Sequence, residues 1–264
     1  VDLTMTFAVD SLCRIIDPRH TLDEFWENLL SLYNGKDTVL PIAHLGDSHI
    51  QGGFYTNETM NLLRRTFGNA LDVDVGRVAT HHVAVLRRVG DGAAHDGIGG
   101  VFGAGADDDF TQVLMYRGEY ARPMLPEGIR NARTAWGKDT YAPDLTVDSF
   151  FLPEAVRELR LQSVSRSEAP TSVTGASCYY GFSLFNGRPG VVYHAIGRNG
   201  ATYSQYTSER FVRQLSLLEP AILIISLGTN ESYGTHFSAS DFITRVDRFV
   251  RLAQRYMPLT TIVL

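Results

Sequence analysis

Three turns built of small residues carry the groups in this chain that could do chemistry. They are Leu45-Gly46-Asp47-Ser48-His49, Gly197-Arg198-Asn199-Gly200-Ala201-Thr202 and Gly228-Thr229-Asn230-Glu231. A serine hydroxyl is a weak nucleophile until a base takes its proton and donors hold the developing oxyanion. Ser48, at a strand-to-helix turn, can aim its own backbone N–H at that oxyanion. Gly200 lacks a Cβ, so its N–H can approach a reacting carbonyl closely. Asn230 adds a side-chain amide. Each residue also has a plainer reading: Asp47-Ser48 as a helix cap, Asn199-Gly200 as an ordinary turn, Asn230 as a loop residue. Gly197 competes with Gly200 for the donor's place. Taken together, the turns offer Ser48 as nucleophile, with Gly200 or Gly197 and Asn230 as candidate oxyanion donors; the choice of Gly200 rests on the resemblance given below.

The flanking segments must position these turns. Val39-Leu40-Pro41-Ile42-Ala43 leads into Ser48, and Ala221 to Leu227 is an apolar run that leads into Asn230. Such runs fit strands of a parallel sheet covered on both faces, whose carboxyl ends hold the chemistry. Residues 21–34 carry Leu22, Phe25, Trp26, Leu29, Leu30 and Tyr33 at helical spacing. Thr21 and Glu24 are expected to form a capping box, with Gly35 as the stop. Further helices are expected over residues 57–67, from Glu209 to Leu218 with Phe211, Leu215 and Leu218 on one face, and from Asp241 to Tyr256. In the last of these Phe242, Val246, Phe249, Val250 and Ala253 face inward and Pro258 follows. Strands are expected from Gly190 to Ile196 and at the C-terminal Thr260 to Leu264. The resulting β-α-β-α-β order predicts one parallel sheet.

Residues 69–185 have a different character. The part to about residue 111 is rich in Gly, Ala, Asp and Val, and its stretch from Gly90 through Ala106 reads as loop. It holds no Gly-x-Gly-x-x-Gly match and so suggests no dinucleotide site. Short β-like runs follow at Thr111 to Tyr116, Leu145 to Phe151, Val156 to Ser163 and Ser177 to Phe185. The expected organisation is an α/β domain in two parts, 1–68 and 186–264, with a small β-rich region, 69–185, inserted between them.

The motifs resemble those of the SGNH (GDSL-type) hydrolase superfamily, and most closely its subgroup with His after the nucleophile, which includes peptidoglycan O-acetylesterases. Gly46-Asp47-Ser48-His49 matches the first block, Asn199-Gly200-Ala201 the second and Gly228-Thr229-Asn230-Glu231 the third, with Glu where many members have Asp. The resemblance covers roughly residues 20–68 and 176–264. It implies an SGNH-like, flavodoxin-like three-layer α/β fold and an acyl-Ser48 esterase acting on acetylated carbohydrate or small esters. It also implies a carbohydrate-binding-like insert. The other readings are a lipase or thioesterase on acyl chains and a carbohydrate-binding protein without catalysis.

The fourth block of that family, Asp-x-x-His, has no match. His49 belongs to the first block, His194 lies in a strand, and His236 follows the Asn230 loop as a weak candidate base. The acid–base pair is therefore expected from a segment beyond Leu264. His81-His82 lacks a metal-ligand pattern, and Asp107-Asp108-Asp109 lacks the spacing of a calcium loop. No metal or organic cofactor is expected.

The 264 residues carry 24 Lys and Arg against 29 Asp and Glu, a net charge of −5, so nucleic acid is a poor partner. The helically spaced Arg245, Arg248, Arg251 and Arg255 read as a solvated face rather than a binding patch. No apolar run approaches eighteen residues, so membrane insertion is not expected. Cys13 and Cys178 can form at most one bridge. The start at Val1-Asp2-Leu3 suggests a processed product, and an exported location is the expectation.

Overall fold

The computed structural model describes residues 15–70, 99–103, 110–117, 130–135, 146–156, 158–162, 179–233 and 237–264. Their elements are α1 (Asp23–Tyr33), β1 (Val39–Gly46), α2 (Ser48–Gln51), α3 (Thr56–Phe67), β2 (Gly99–Gly103), β3 (Phe110–Arg117), β4 (Arg130–Ala135), β5 (Thr146–Val156), β6 (Glu158–Gln162) and β7 (Tyr179–Phe185). There follow β8 (Gly190–Gly197), α4 (Tyr203–Tyr206), α5 (Glu209–Leu215) with a closing 3-10 turn (Ser216–Leu218), β9 (Ile222–Ser226), α6 (Thr229–Ser232), α7 (Ala239–Tyr256) and β10 (Thr261–Val263).

Four strands form a parallel sheet in the order β10-β9-β1-β8. Counted along the chain within that sheet, the order is 2-1-3-4, the doubly wound pattern of flavodoxin-like folds. The first strand of the sheet is thus central, and the chain direction switches between β1 and β9. At such a switch the loops leaving two neighbouring strands diverge and open a crevice. The loops leaving β1 and β9 are the ones that carry Ser48 and Asn230.

Alternation along β1 builds the two outer layers. Leu40 and Ile42 pack with Leu22 at the start of α1, Phe25 and Leu29 of α1 and Met60 of α3. Ala43 and Leu45 pack on the opposite face with Val212 and Leu215 of α5 and Phe249 and Ala253 of α7. The architecture is a three-layer α/β/α sandwich, as the resemblance implies.

Several local expectations need correction. The buried stripe of α1 is Leu22, Phe25, Leu29 and Leu32, whereas Trp26, Leu30 and Tyr33 are exposed. Both stripes satisfy a 3.6-residue period, and packing against the sheet selects one. The Thr21–Glu24 capping box does not form. The Asp17 carboxylate instead accepts from Thr21 N, Thr21 Oγ1 and Leu22 N at 2.8–2.9 Å. These bonds hold the Asp17 carboxyl below its ordinary range. On α5, Val212 is fully buried and Phe211 only partly so.

The intervening strands are antiparallel. β2 pairs with β6, and β4-β5-β3-β7 form a second sheet. Gly99–Gly103 is therefore a strand where its glycines suggest a loop. β4 escapes the sequence reading because Arg130-Asn131-Ala132-Arg133-Thr134-Ala135 has little apolar alternation. Among the described strands it lies at the edge of its sheet, where charged residues discourage pairing with another chain. Leu114 of β3 and Val147 of β5 pack against the core cluster beneath α5 and α7, which ties this sheet to the parallel one. Cys13, Cys178, His81, His82, His95, His236 and Asp107 to Asp109 lie outside the described residues. Among the described residues no helix is long and apolar enough to cross a membrane.

Candidate active site

The Ser48 turn is made possible by Gly46. A Cβ there would stand 2.2 Å from Ile50 Cγ1 and 2.9 Å from the Ser226 carbonyl. β1 can therefore end against β9 while α2 folds back over it. Asp47 then caps α2, its Oδ1 accepting the His49 N–H at 2.9 Å. Ser48 is the first residue of this short helix and is partly exposed. The carbonyl of Gly46 accepts from Arg198 N at 3.2 Å and from the buried Tyr206 hydroxyl at 2.9 Å. Burial pushes that hydroxyl up to about 12, so it remains a donor.

The second turn is fastened to the first. Gly197 lies so close to α2 that a Cβ would meet Gln51 N at 2.1 Å. Asn199 N donates to Gln51 Oε1 at 2.6 Å. Gly200 has φ +69°, and a Cβ on it would meet nothing within 4 Å. The two glycines thus serve different needs. Gly197 is required by packing, whereas Gly200 is required by backbone conformation at an open turn. Ala201 is buried, and a capping box between Thr202 and Gln205 starts α4 immediately after it.

The third turn closes the site. Asn230 Nδ2 donates to Asp47 Oδ2 at 3.2 Å and to the Ala201 carbonyl at 2.9 Å. One side chain therefore links the residue before Ser48 to the residue after Gly200, and all three motifs converge at the β1/β9 switch. Both amide hydrogens are engaged in this state. The next residue, Glu231, accepts the Tyr203 N–H at 2.5 Å and clamps the third turn to the start of α4.

Asp47 is 2% exposed and gathers three donors: His49 N, His49 Nδ1 at 2.9 Å and Asn230 Nδ2. His49 turns toward Asp47 and is half-exposed. His44, in β1, is buried, with Nδ1 2.6 Å from the Tyr193 hydroxyl and Nε2 2.7 Å from Ser226 Oγ. His194 is buried in β8, and His20 is exposed near Asp23. Burial holds both His44 and His194 down to about 4. None of these four described histidines hydrogen-bonds to Ser48.

Sequence reading overlooked Gln51, Tyr206, His44 and Ser226, and it placed Glu231 in the third turn without a role. A histidine interrupting the apolar run Val39 to Leu45 is a visible signal, because a buried polar group needs partners. Gln51 and Tyr206 carry no such mark.

No family model matches the chain, and no curated protein matches it. A solved structure described as a peptidoglycan O-acetylesterase in action (5 min) superimposes with a TM-score of 0.58 at 18% identity, over 89% of this chain and 69% of that one. The fold is SGNH-like. At this distance the likeness speaks for the path of the backbone, and the chemistry must be argued from the site itself.

Proposed function

We propose that this chain is a serine esterase of the SGNH type that removes O-acetyl groups from a carbohydrate, peptidoglycan or another polysaccharide. The observation that carries the reading is the pair of bonds from Asn230 Nδ2 to Asp47 and to Ala201. They bring a serine at a helix start, a positive-φ glycine turn and an asparagine amide together at the switch point of a doubly wound sheet. The likeness in fold to a peptidoglycan O-acetylesterase supports the same class of substrate.

In this reading Ser48 Oγ attacks the acetyl carbonyl, and its proton passes to a base outside the four described histidines. The tetrahedral oxyanion is held by the N–H groups of Ser48 and Gly200 and by Asn230 Nδ2. The 3.2 Å bond from Asn230 to Asp47 is the longer of its two and the one exchanged for the oxyanion. Collapse expels the sugar hydroxyl and leaves acetyl-Ser48, which water then hydrolyses. The antiparallel strands between residues 110 and 185 would present the sugar polymer beside the cleft, and an exported location suits such a substrate.

The test is acetate release from a small acetyl ester by the chain beside its Ser48→Ala variant. Turnover that falls by roughly 10⁴-fold or more in the variant is the expected result. Sugar binding without turnover would favour the carbohydrate-binding reading, to which the lack, among the described residues, of a histidine bonded to Ser48 lends weight. Faster turnover of butyrate or longer esters than of acetate would favour a lipase or thioesterase.

A further inference from the structure

We propose that His44 is a positioning residue that sets the spacing between the ends of β1 and β9, so that Ser48 and Asn230 are presented together. The inference rests on the esterase reading for its consequence, although its geometry does not. The backbone ladder between these strands runs from Ile42 opposite Ile222 to Gly46 opposite Ser226. Beyond that last pair the two chains fork, one into Asp47-Ser48 and the other into Leu227-Gly228 and on to Asn230. No backbone pairing holds the fork itself.

His44 supplies a side-chain tie at the last rung of the ladder, just before the fork. Its backbone partner in β9 is Ile224, but its ring reaches up to Ser226, the last residue of the strand. The other ring nitrogen meets Tyr193 of β8, so one imidazole spans three strands. Tyr55, just before α3, packs beside the ring at a tilt of 52°, with centroids 6.0 Å apart. A neutral imidazole offers one donor and one acceptor, and the two hydroxyls take the complementary roles. The buried network is thereby satisfied, and such networks favour one arrangement over near alternatives. Burial, which lowers the basicity of His44, keeps the ring neutral at ordinary pH.

The arrangement leaves no obvious catalytic role for this histidine. It is 5% exposed, on the sheet face shared with Leu40 and Ile42, and both its nitrogens are engaged. Its effect must pass through Ser226 to the Gly228–Asn230 turn. Misplacement by about 1 Å at a reacting centre can cost on the order of 100-fold in rate, so loss of one tie should show in kcat.

The experiment compares Ser226→Ala, His44→Gln and His44→Asn in the full chain. Ser226→Ala is expected to lower kcat for a small acetyl ester about tenfold while KM stays within about twofold. Gln can place its amide where Nε2 stood and keep the Ser226 bond, whereas Asn places it where Nδ1 stood. His44→Gln should therefore retain more kcat than His44→Asn at matched Tm. Independently of activity, the NMR signals of the Asn230 side-chain amide should shift in Ser226→Ala. A folded Ser226→Ala with unchanged kcat and unchanged Asn230 signals would overturn the proposal, even if both His44 variants failed to fold. If the parent chain releases no acetate, that result bears on the esterase reading alone, and the Asn230 signals still decide the positioning role.

Discussion

The β1/β9 switch and the outer face of α7 are both rich in polar residues, yet they are built on opposite principles. At the switch, Asp47, Asn230, His44 and Ser226 are joined across 182 or 183 residues of sequence, and Asp47 and His44 are almost wholly buried. On α7, Arg245, Arg248, Arg251 and Arg255 are all exposed, and the Arg251–Asp247 pair at 2.8 Å joins residues one turn apart with both side chains open to water. The Arg255 guanidinium lies 5.4 Å from the ring of Tyr256, again a local surface contact. Polar groups taken out of water must be satisfied by partners held in place, and that requirement preorganises a site. Polar groups left in water are satisfied wherever they point. The difference separates a candidate active site from a solvated helix face without reference to charge count.

Three measurements would sharpen or break this contrast. The largest effect is expected at Asn230. Asn230→Ala removes a proposed oxyanion donor and the link between Asp47 and Ala201, and kcat should fall on the order of 10²–10³-fold. Steady-state kinetics on a small acetyl ester would read it; a loss confined to KM would assign Asn230 to substrate binding instead.

The next effect is on stability against pH. His44 and His194 are held to about 4 in the fold, against an ordinary value of 6.5. The unfolded chain therefore binds more protons than the folded one between these values, so stability rises with pH there. The contribution is fully present above 6.5 and is lost as pH falls toward 4, to the extent of about 3 kcal/mol per histidine at most. Urea unfolding at pH 7.5 and 5 should show the decline, and His44→Phe should flatten it. An unchanged slope in that variant would mean that other groups govern acid stability.

The smallest effect belongs to α7. Arg251→Ala should change stability by no more than about 0.5 kcal/mol, because an exposed ion pair is screened by water and salt. Its turnover should match the parent's. A clear loss on polymeric substrate alone would turn the solvated face into a binding surface and undo the comparison.

How much of this could be read beforehand differs from element to element. The apolar runs around Ile42 and Ile224 announce buried parallel strands, and the periodicity of Phe242, Phe249 and Ala253 announces α7. The glycine-rich Gly99–Gly103 misleads, because glycine is a poor local indicator of strand and the pairing that makes it one comes from Glu158–Gln162. Thr21 and Glu24 mislead in a similar way, since Asp17 satisfies the donors first. Ser48, Gly200 and Asn230 stand out as small or polar residues directly after apolar runs. Gln51 and Tyr206 do not, because their roles are bonds to the backbone of turns far away in sequence.

The sequence by itself determined the main helices of the α/β part, the strands that must be buried and the three turns at their ends, since local periodicity and apolar content are properties of neighbouring residues. Only the tertiary structure decided which stripe of α1 faces the sheet, which glycine is conformational and which steric, and that Asn230 joins Asp47 to Ala201. Those outcomes depend on distances between segments that chain order does not encode, and they are settled when burial forces each polar atom to find a partner.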